Sequence, residues 1–406
     1  MCPVTEGLAR TGSRLFQRGF RPFFLAAAAH SLLVVGFWSL VLQGAIGWQA
    51  RLDPLTWHAH EMLFGAVGAA IAGFLLTAVP NWTGRLPVQG PRLALLFALW
   101  LVPRLLWPMP GALAPSLAAG AEFLFWAVLL GTIAREILLS DNRRNLPVVG
   151  ALALVLAAET VFVAAALLDR AEIMRAANLS MLALATLLVS LIGGRIVPSF
   201  TRNWLTRRGS AALPGGSVLL DAAALGLSAL GLALWLAQAA AFAGPVLLAA
   251  AAAQLLRLLL WRGWRTLPEP LVAILHLAYL WIPAGLGLLG AAQLWPQAVF
   301  ESAAVHALGG GALATMVIAV TTRATLGHSG QALHADRMTV ALYAAVLLAA
   351  TLRVVAGLWP EGVTLPGAEL SAMQLLAAAA LLWVAGQAGF LWRYAPLLLG
   401  LGAATH

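Results

Sequence analysis

The chain of 406 residues has no lysine, one cysteine and three tyrosines, and only 10% of its side chains are charged. The single Cys2 excludes an internal disulfide, a Cys-x-x-Cys zinc or redox motif, a thiolate-held iron–sulfur cluster and covalent c-type haem attachment. Any bound metal must therefore rely on His, Met or carboxylate. All 24 basic residues are arginine, a bias that GC-rich codons produce without functional cause. The scarcity of charge goes with 62% hydrophobic residues and a mean hydropathy of +0.90. A soluble domain of this length does not reach that balance, so the expectation is an all-α, polytopic membrane protein.

The first 20 residues carry three arginines but no apolar core, which argues against a cleavable signal peptide and for a cytoplasmic N-terminal segment. Twelve apolar runs are long enough to cross about 30 Å of hydrocarbon as helices. They lie at 22–46, 54–79, 91–107, 112–134, 146–168, 176–198, 217–238, 241–261, 269–292, 300–322, 338–358 and 370–392. The third is the shortest and contains Arg104. With both termini inside, 19 arginines fall on the cytoplasmic side and five elsewhere, at Arg51, Arg104, Arg170, Arg175 and Arg353, a strong positive-inside bias. The positive charge is thus topological and nucleic acid is excluded as a partner. No linker or soluble-sized insertion interrupts the runs, so one transmembrane domain over 1–406 is expected. The ends of helices two, six and ten read "TAVPNWTGR", "GRIVPSFTRNW" and "AVTTRATLGHSG", a faint threefold echo.

Histidine placement carries the functional signal. Asp53-Pro54 is a helix start, an acceptor for free amides followed by proline at the first helical position, so His58 and His60 fall roughly 6–9 Å into helix two. His306 lies at a similar depth, roughly 9 Å, in helix ten. Residues two apart on a helix diverge by about 200°, so His58 and His60 face different directions. His30 in helix one, His276 in helix nine and, in the loop after helix ten, His328 fall in a second, inner group. His30 stands alone on an Ala-rich helix and His406 is the last residue of the sequence; neither is assigned a role. Imidazoles at one depth in a bilayer suit haem iron or copper. Glu61, Glu122 and Glu159 are ionisable groups inside spans and are functional candidates by default: Glu122 and Glu159 as proton relays or, equally, as partners of Asn, Thr or Arg on adjacent helices, and Glu61 as a support for a ligand imidazole. Most of the 16 tryptophans, Trp57 and Trp107 among them, lie near helix ends and are read as an interfacial belt.

Six blocks carry a resemblance: "RGFRPFFL" at 18–25, "WHAHEMLFG" at 57–65, "GFLLTAVPNWTGR" at 73–85, "GGRIVPSFTRNW" at 193–204, "LHLAYLWIP" at 275–283 and "HALGGGALATMVIAVTTRATLGHSG" at 306–330. In order and spacing they resemble the NnrS family of bacterial membrane proteins. That resemblance implies a multi-pass protein of the bacterial cytoplasmic membrane that contains haem b and copper and protects against nitric oxide. It puts forward His58, His60, His276, His306 and His328 as ligand candidates and Arg195, Arg202 and Asn203 as the polar block of helix six. The expectation is a haem held by His60 or His58 with His306, the other helix-two histidine turning to copper or a second haem. If catalytic, the protein is expected to reduce nitric oxide to N2O with electrons from membrane quinol, with Glu61, Glu122, Glu159 and Arg202 in the catalytic set. Twelve helices with buried acids also suit a secondary transporter, and a non-catalytic NO-binding or metal-handling protein is a third reading.

Overall fold

Asp53 and Pro54 behave as their order predicts: Asp53 Oδ1 accepts from the amides of Leu55 and Thr56 at 3.1 and 3.0 Å, and Pro54 opens the helix. Similar caps start later helices, with Ser217 accepting from Leu220 N and Asp336 from Thr339 N. The computed structural model describes residues 14–109, 114–140, 143–365 and 368–401; Cys2, His406 and most of the N-terminal segment lie outside them.

Twelve helices follow: α1 (Phe20–Leu42), α2 (Pro54–Thr83), α3 (Pro91–Leu106), α4 (Ala114–Leu138), α5 (Leu146–Leu167), α6 (Ala171–Arg207), α7 (Val218–Leu236), α8 (Ala240–Leu260), α9 (Pro270–Leu294), α10 (Glu301–His328), α11 (Arg337–Leu358) and α12 (Ala372–Leu398). The protein is an all-α polytopic membrane protein. Among the described residues, 11 helices are long and apolar enough to cross a membrane. The remaining one, α3, has 16 residues and so extends only about 24 Å. The far ends of three spans differ most from expectation: α6 continues to Arg207 through Pro198, α10 to His328 and α12 to Leu398. His328 is therefore the last helical residue rather than part of a loop. A short hairpin pairs β1 (Val363–Leu365) antiparallel with β2 (Ala368–Leu370). Large apolar side chains such as Leu33, Phe242 and Leu381 are uncovered by protein, as residues facing lipid are.

The helices cluster as two compact units. The first holds Met1–Leu184, Ala324–Ala332 and Phe390–His406; the second holds Ala185–Arg323 and Leu333–Gly389. In the first, α2 is largely buried by its neighbours, whereas α1 leaves most of its surface uncovered by protein. Close approach of α1 depends on Gly73, where a Cβ would lie 2.8 Å from the Phe24 ring.

Neither α2 nor α10 is a regular α-helix throughout. In α2 a π-helical stretch, Glu61–Val67, directly follows His60; in α10 another, Ala307–Ala314, directly follows His306. π-Helical turns are uncommon and concentrate at functional sites. The long α6 carries no such interruption.

The second unit holds a buried polar network. Arg257 donates to Asp221 Oδ1 at 2.6 Å and to Tyr279 OH at 2.8 Å, Tyr279 donates to Gln254 Oε1 at 2.7 Å, and Gln254 Nε2 donates to Ser190 Oγ at 2.7 Å. These groups satisfy one another, which is what polar side chains between membrane helices require.

Candidate metal centre

The π-helical turn of α2 places His60 and Glu61 inside the first unit, both fully buried. His60 Nδ1 lies 3.1 Å from Glu61 Oε1, and His60 Nε2 lies 3.4 Å from Glu159 Oε1 on α5 and 3.9 Å from Glu122 Oε1 on α4. One ligand atom from each of His60, Glu122 and Glu159 falls within 4.8 Å of the others. Three helices thus converge their donors on one point.

The surrounding charges come from α1 and α3. His30 Nε2 contacts Glu61 Oε2 at 2.7 Å, and Arg104 Nε contacts the same oxygen at 3.1 Å. Arg104 Nη2 also pairs with Glu122 Oε1, while Trp107 Nε1 donates to Glu122 Oε2 at 3.2 Å. Gly65 makes this convergence possible: a Cβ there would stand 2.7 Å from Arg104 Nη1 and 2.8 Å from His30 Nε2. Its carbonyl accepts from Trp100 Nε1 at 3.1 Å. Gly65→Ala is therefore expected to destabilise the protein by about 1–3 kcal/mol through overpacking and to separate His30 from Glu61; thermal denaturation in detergent measures the first effect.

Aromatic rings close the site. Phe162 stacks on the His60 ring with centroids 4.0 Å apart, and Phe64 and Trp107 lie at 5.2 and 6.1 Å. Three carboxylates face one guanidinium and two imidazoles. With neutral imidazoles, two negative charges remain in a buried, low-dielectric place, where unpaired charge is costly. One divalent cation or two protons would cancel them. Glu159 Oε2 is buried without a hydrogen-bond partner, an oxygen open to a metal or to a proton.

The sequence reading brought Glu61, Glu122, Glu159 and His60 forward, and these four do meet. It gave His30 no role and took Trp107 for interfacial; both instead touch the central carboxylates, and Trp107 is 2% exposed. Trp57 is likewise buried, packed against Phe37 and Trp48. Arg104, which stands inside the shortest apolar run, is the counter-charge of the cluster. The signal that could have found it was an arginine inside an apolar run of a chain that also buries three acids.

The remaining candidates sit elsewhere. His58 diverges from His60 as the helical angle requires and stacks on Trp38 with centroids 5.2 Å apart. In the second unit, His306 Nδ1 donates to Ser302 O at 2.8 Å, fixing the tautomer whose Nε2 bears the lone pair. His276 Nε2 meets Thr201 Oγ1 at 2.7 Å, and that hydroxyl donates to Val197 O. Arg202 donates to the Pro214 carbonyl at 3.1 Å and so holds the α6–α7 loop. His328 packs its ring against Phe20 in the first unit, 5.3 Å away. The sequence matches the family model described as NnrS protein over residues 14–401. No curated protein matches it.

Proposed function

The chain belongs to the NnrS family, and on that premise we propose that it is a haem- and copper-binding protein of the bacterial cytoplasmic membrane that protects against nitric oxide by reducing it to N2O. The observation that carries this reading is the buried convergence of His60, Glu122 and Glu159. An imidazole with two carboxylates suits a divalent transition metal, copper(II) or iron(II), better than soft copper(I). Glu61 on His60 Nδ1 supplies the usual support that orients a ligand imidazole and raises its basicity.

Haem does not fit at His60, because carboxylates face Nε2 and Phe162 covers the ring at 4.0 Å. It fits better at His306. There the Ser302 carbonyl fixes the donor nitrogen, and the neighbouring π-helical stretch includes Gly310, around whose Cβ position nothing lies within 4 Å. When bound, haem and the divalent metal would supply NO binding and electron transfer. Coupling two NO molecules consumes two electrons, from membrane quinol, and two protons, giving N2O and water. The chain's own groups do the rest. Arg104 holds Glu61 and Glu122 in place, Phe64, Phe162 and Trp107 exclude water, and the buried, unbonded Glu159 Oε2 is where a proton would rest beside the centre.

The test is gas analysis of the purified, quinol-reduced protein supplied with NO. The proposal expects N2O, and a fall of about 100-fold or more with Glu159→Gln, the scale of a lost proton-transfer group, without loss of the haem spectrum. NO binding without N2O would leave a non-catalytic NO-binding protein, and solute flux by a colourless, metal-free protein would make it a transporter.

A further inference from the structure

Two sequence blocks take no part in the metal centre, and the fold joins them. "RGFRPFFL" forms the start of α1, "TLGHSG" ends α10, and Phe20 packs on His328 with ring centroids 5.3 Å apart. Both ends belong to the first unit. Because each terminates a membrane-length helix, the junction lies at headgroup depth.

The junction is rich in unsatisfied donors. Arg14, Arg18 and Arg21 fall within two helical turns of chain, and among the described residues no carboxylate pairs with any of them. The acceptors found for Arg14 and Arg21 are main-chain carbonyls: Arg14 Nη1 donates to Gly400 O at 3.1 Å and Arg21 Nη1 to Arg14 O at 2.8 Å. Arg21 Nε is buried and makes no hydrogen bond.

α10 presents two more. Threonines of these helices ordinarily bond a carbonyl one turn back, as Thr77, Thr83, Thr201 and Thr322 do. Thr325, which is 0% exposed, does not, and neither does Ser329; both hydroxyls are buried without a partner. Thr325 lies one turn before both His328 and Ser329, and His328 turns its ring to Phe20.

Positive charge, a free guanidinium N–H and two free hydroxyls at headgroup depth make a receptor for a tetrahedral oxyanion, a phosphate bearing several acceptor oxygens. We propose that this junction of α1 and α10 binds the phosphate of an anionic lipid headgroup. The membrane, rather than free phosphate, is the source, because the donors sit where two spans meet the interface.

The test is thermal stability of the delipidated full-length protein in detergent, titrated with short-chain phosphatidylglycerol, short-chain phosphatidylcholine or inorganic phosphate. Phosphatidylglycerol is expected to stabilise the wild type. Arg18→Gln with Arg21→Gln should weaken its apparent affinity by about tenfold or more, the scale of two interfacial arginines. Thr325→Val, which keeps all charge and nearly the same shape, should weaken it severalfold. Arg143→Gln with Arg144→Gln, which removes equal charge from the α4–α5 loop, should leave it unchanged. Equal effects of the two arginine pairs would overturn the site in favour of general surface charge. Equal stabilisation by phosphatidylcholine, or by phosphate alone, would overturn the lipid assignment. If the Arg18/Arg21 variant does not fold, the Thr325→Val titration decides: an unchanged affinity there overturns the proposal.

Discussion

Replacing Arg104 with Met is expected to destabilise the protein by about 3–5 kcal/mol, the cost of breaking a buried ion pair from one side. The upper part of that range applies because one guanidinium serves two carboxylates, Glu61 and Glu122, both buried within the first unit. Methionine fills most of the same volume, so the loss reports charge and not a cavity. The triple variant Arg104→Met, Glu61→Gln, Glu122→Gln removes the uncompensated charges and should recover much of the stability. Denaturation in detergent, run as a cycle on these variants, isolates the coupling. A single variant as stable as the wild type would mean that the carboxylates do not depend on Arg104.

The second large effect is on metal affinity. His60 is the only nitrogen donor among the three converging residues, and its Nδ1 is held by Glu61. Removal of a supporting group typically lowers affinity by about 10–100-fold, so Glu61→Gln is expected in that range. His60→Ala removes the donor itself and should exceed it. Competition with a coloured chelator measures both. Equal losses in the two variants would contradict the division into ligand and support.

The membrane class, the α2 start and the divergence of His58 from His60 were legible because they rest on local rules: composition, capping and helical angle. The acids were legible singly, since an ionisable group in an apolar run is conspicuous. Their meeting was not. Glu122 and Glu159 lie 37 positions apart on different helices, and nothing in either run says which face is turned to α2. His30 was missed for the same reason, because its partner Glu61 is 31 positions away. Trp107 was misread because proximity to a helix end normally means the interface, yet a carboxylate one helix away gives its indole N–H a buried acceptor. The π-helical turns also escaped notice; the sequence "EMLFGAV" carries an ordinary helical pattern, and only Gly65 marks the place where other side chains crowd in.

The π-helical turns after His60 and His306 give the two units a common device with different surroundings. Glu61 follows His60, whereas Ala307 follows His306. A carboxylate beside the imidazole suits a divalent ion, and an apolar neighbour suits a large apolar cofactor. That difference is the basis for the proposal that the divalent metal binds in the first unit and haem in the second.

The most direct measurement is elemental analysis of the protein purified without chelators, wild type beside the Glu122→Gln, Glu159→Gln double variant, counting copper and non-haem iron per chain. The account predicts about one divalent transition-metal ion per wild-type chain and less than a tenth of that in the variant, both carboxylate ligands having been lost. An equal metal content in the two proteins, or none in a folded wild type supplied with both metals, would contradict it.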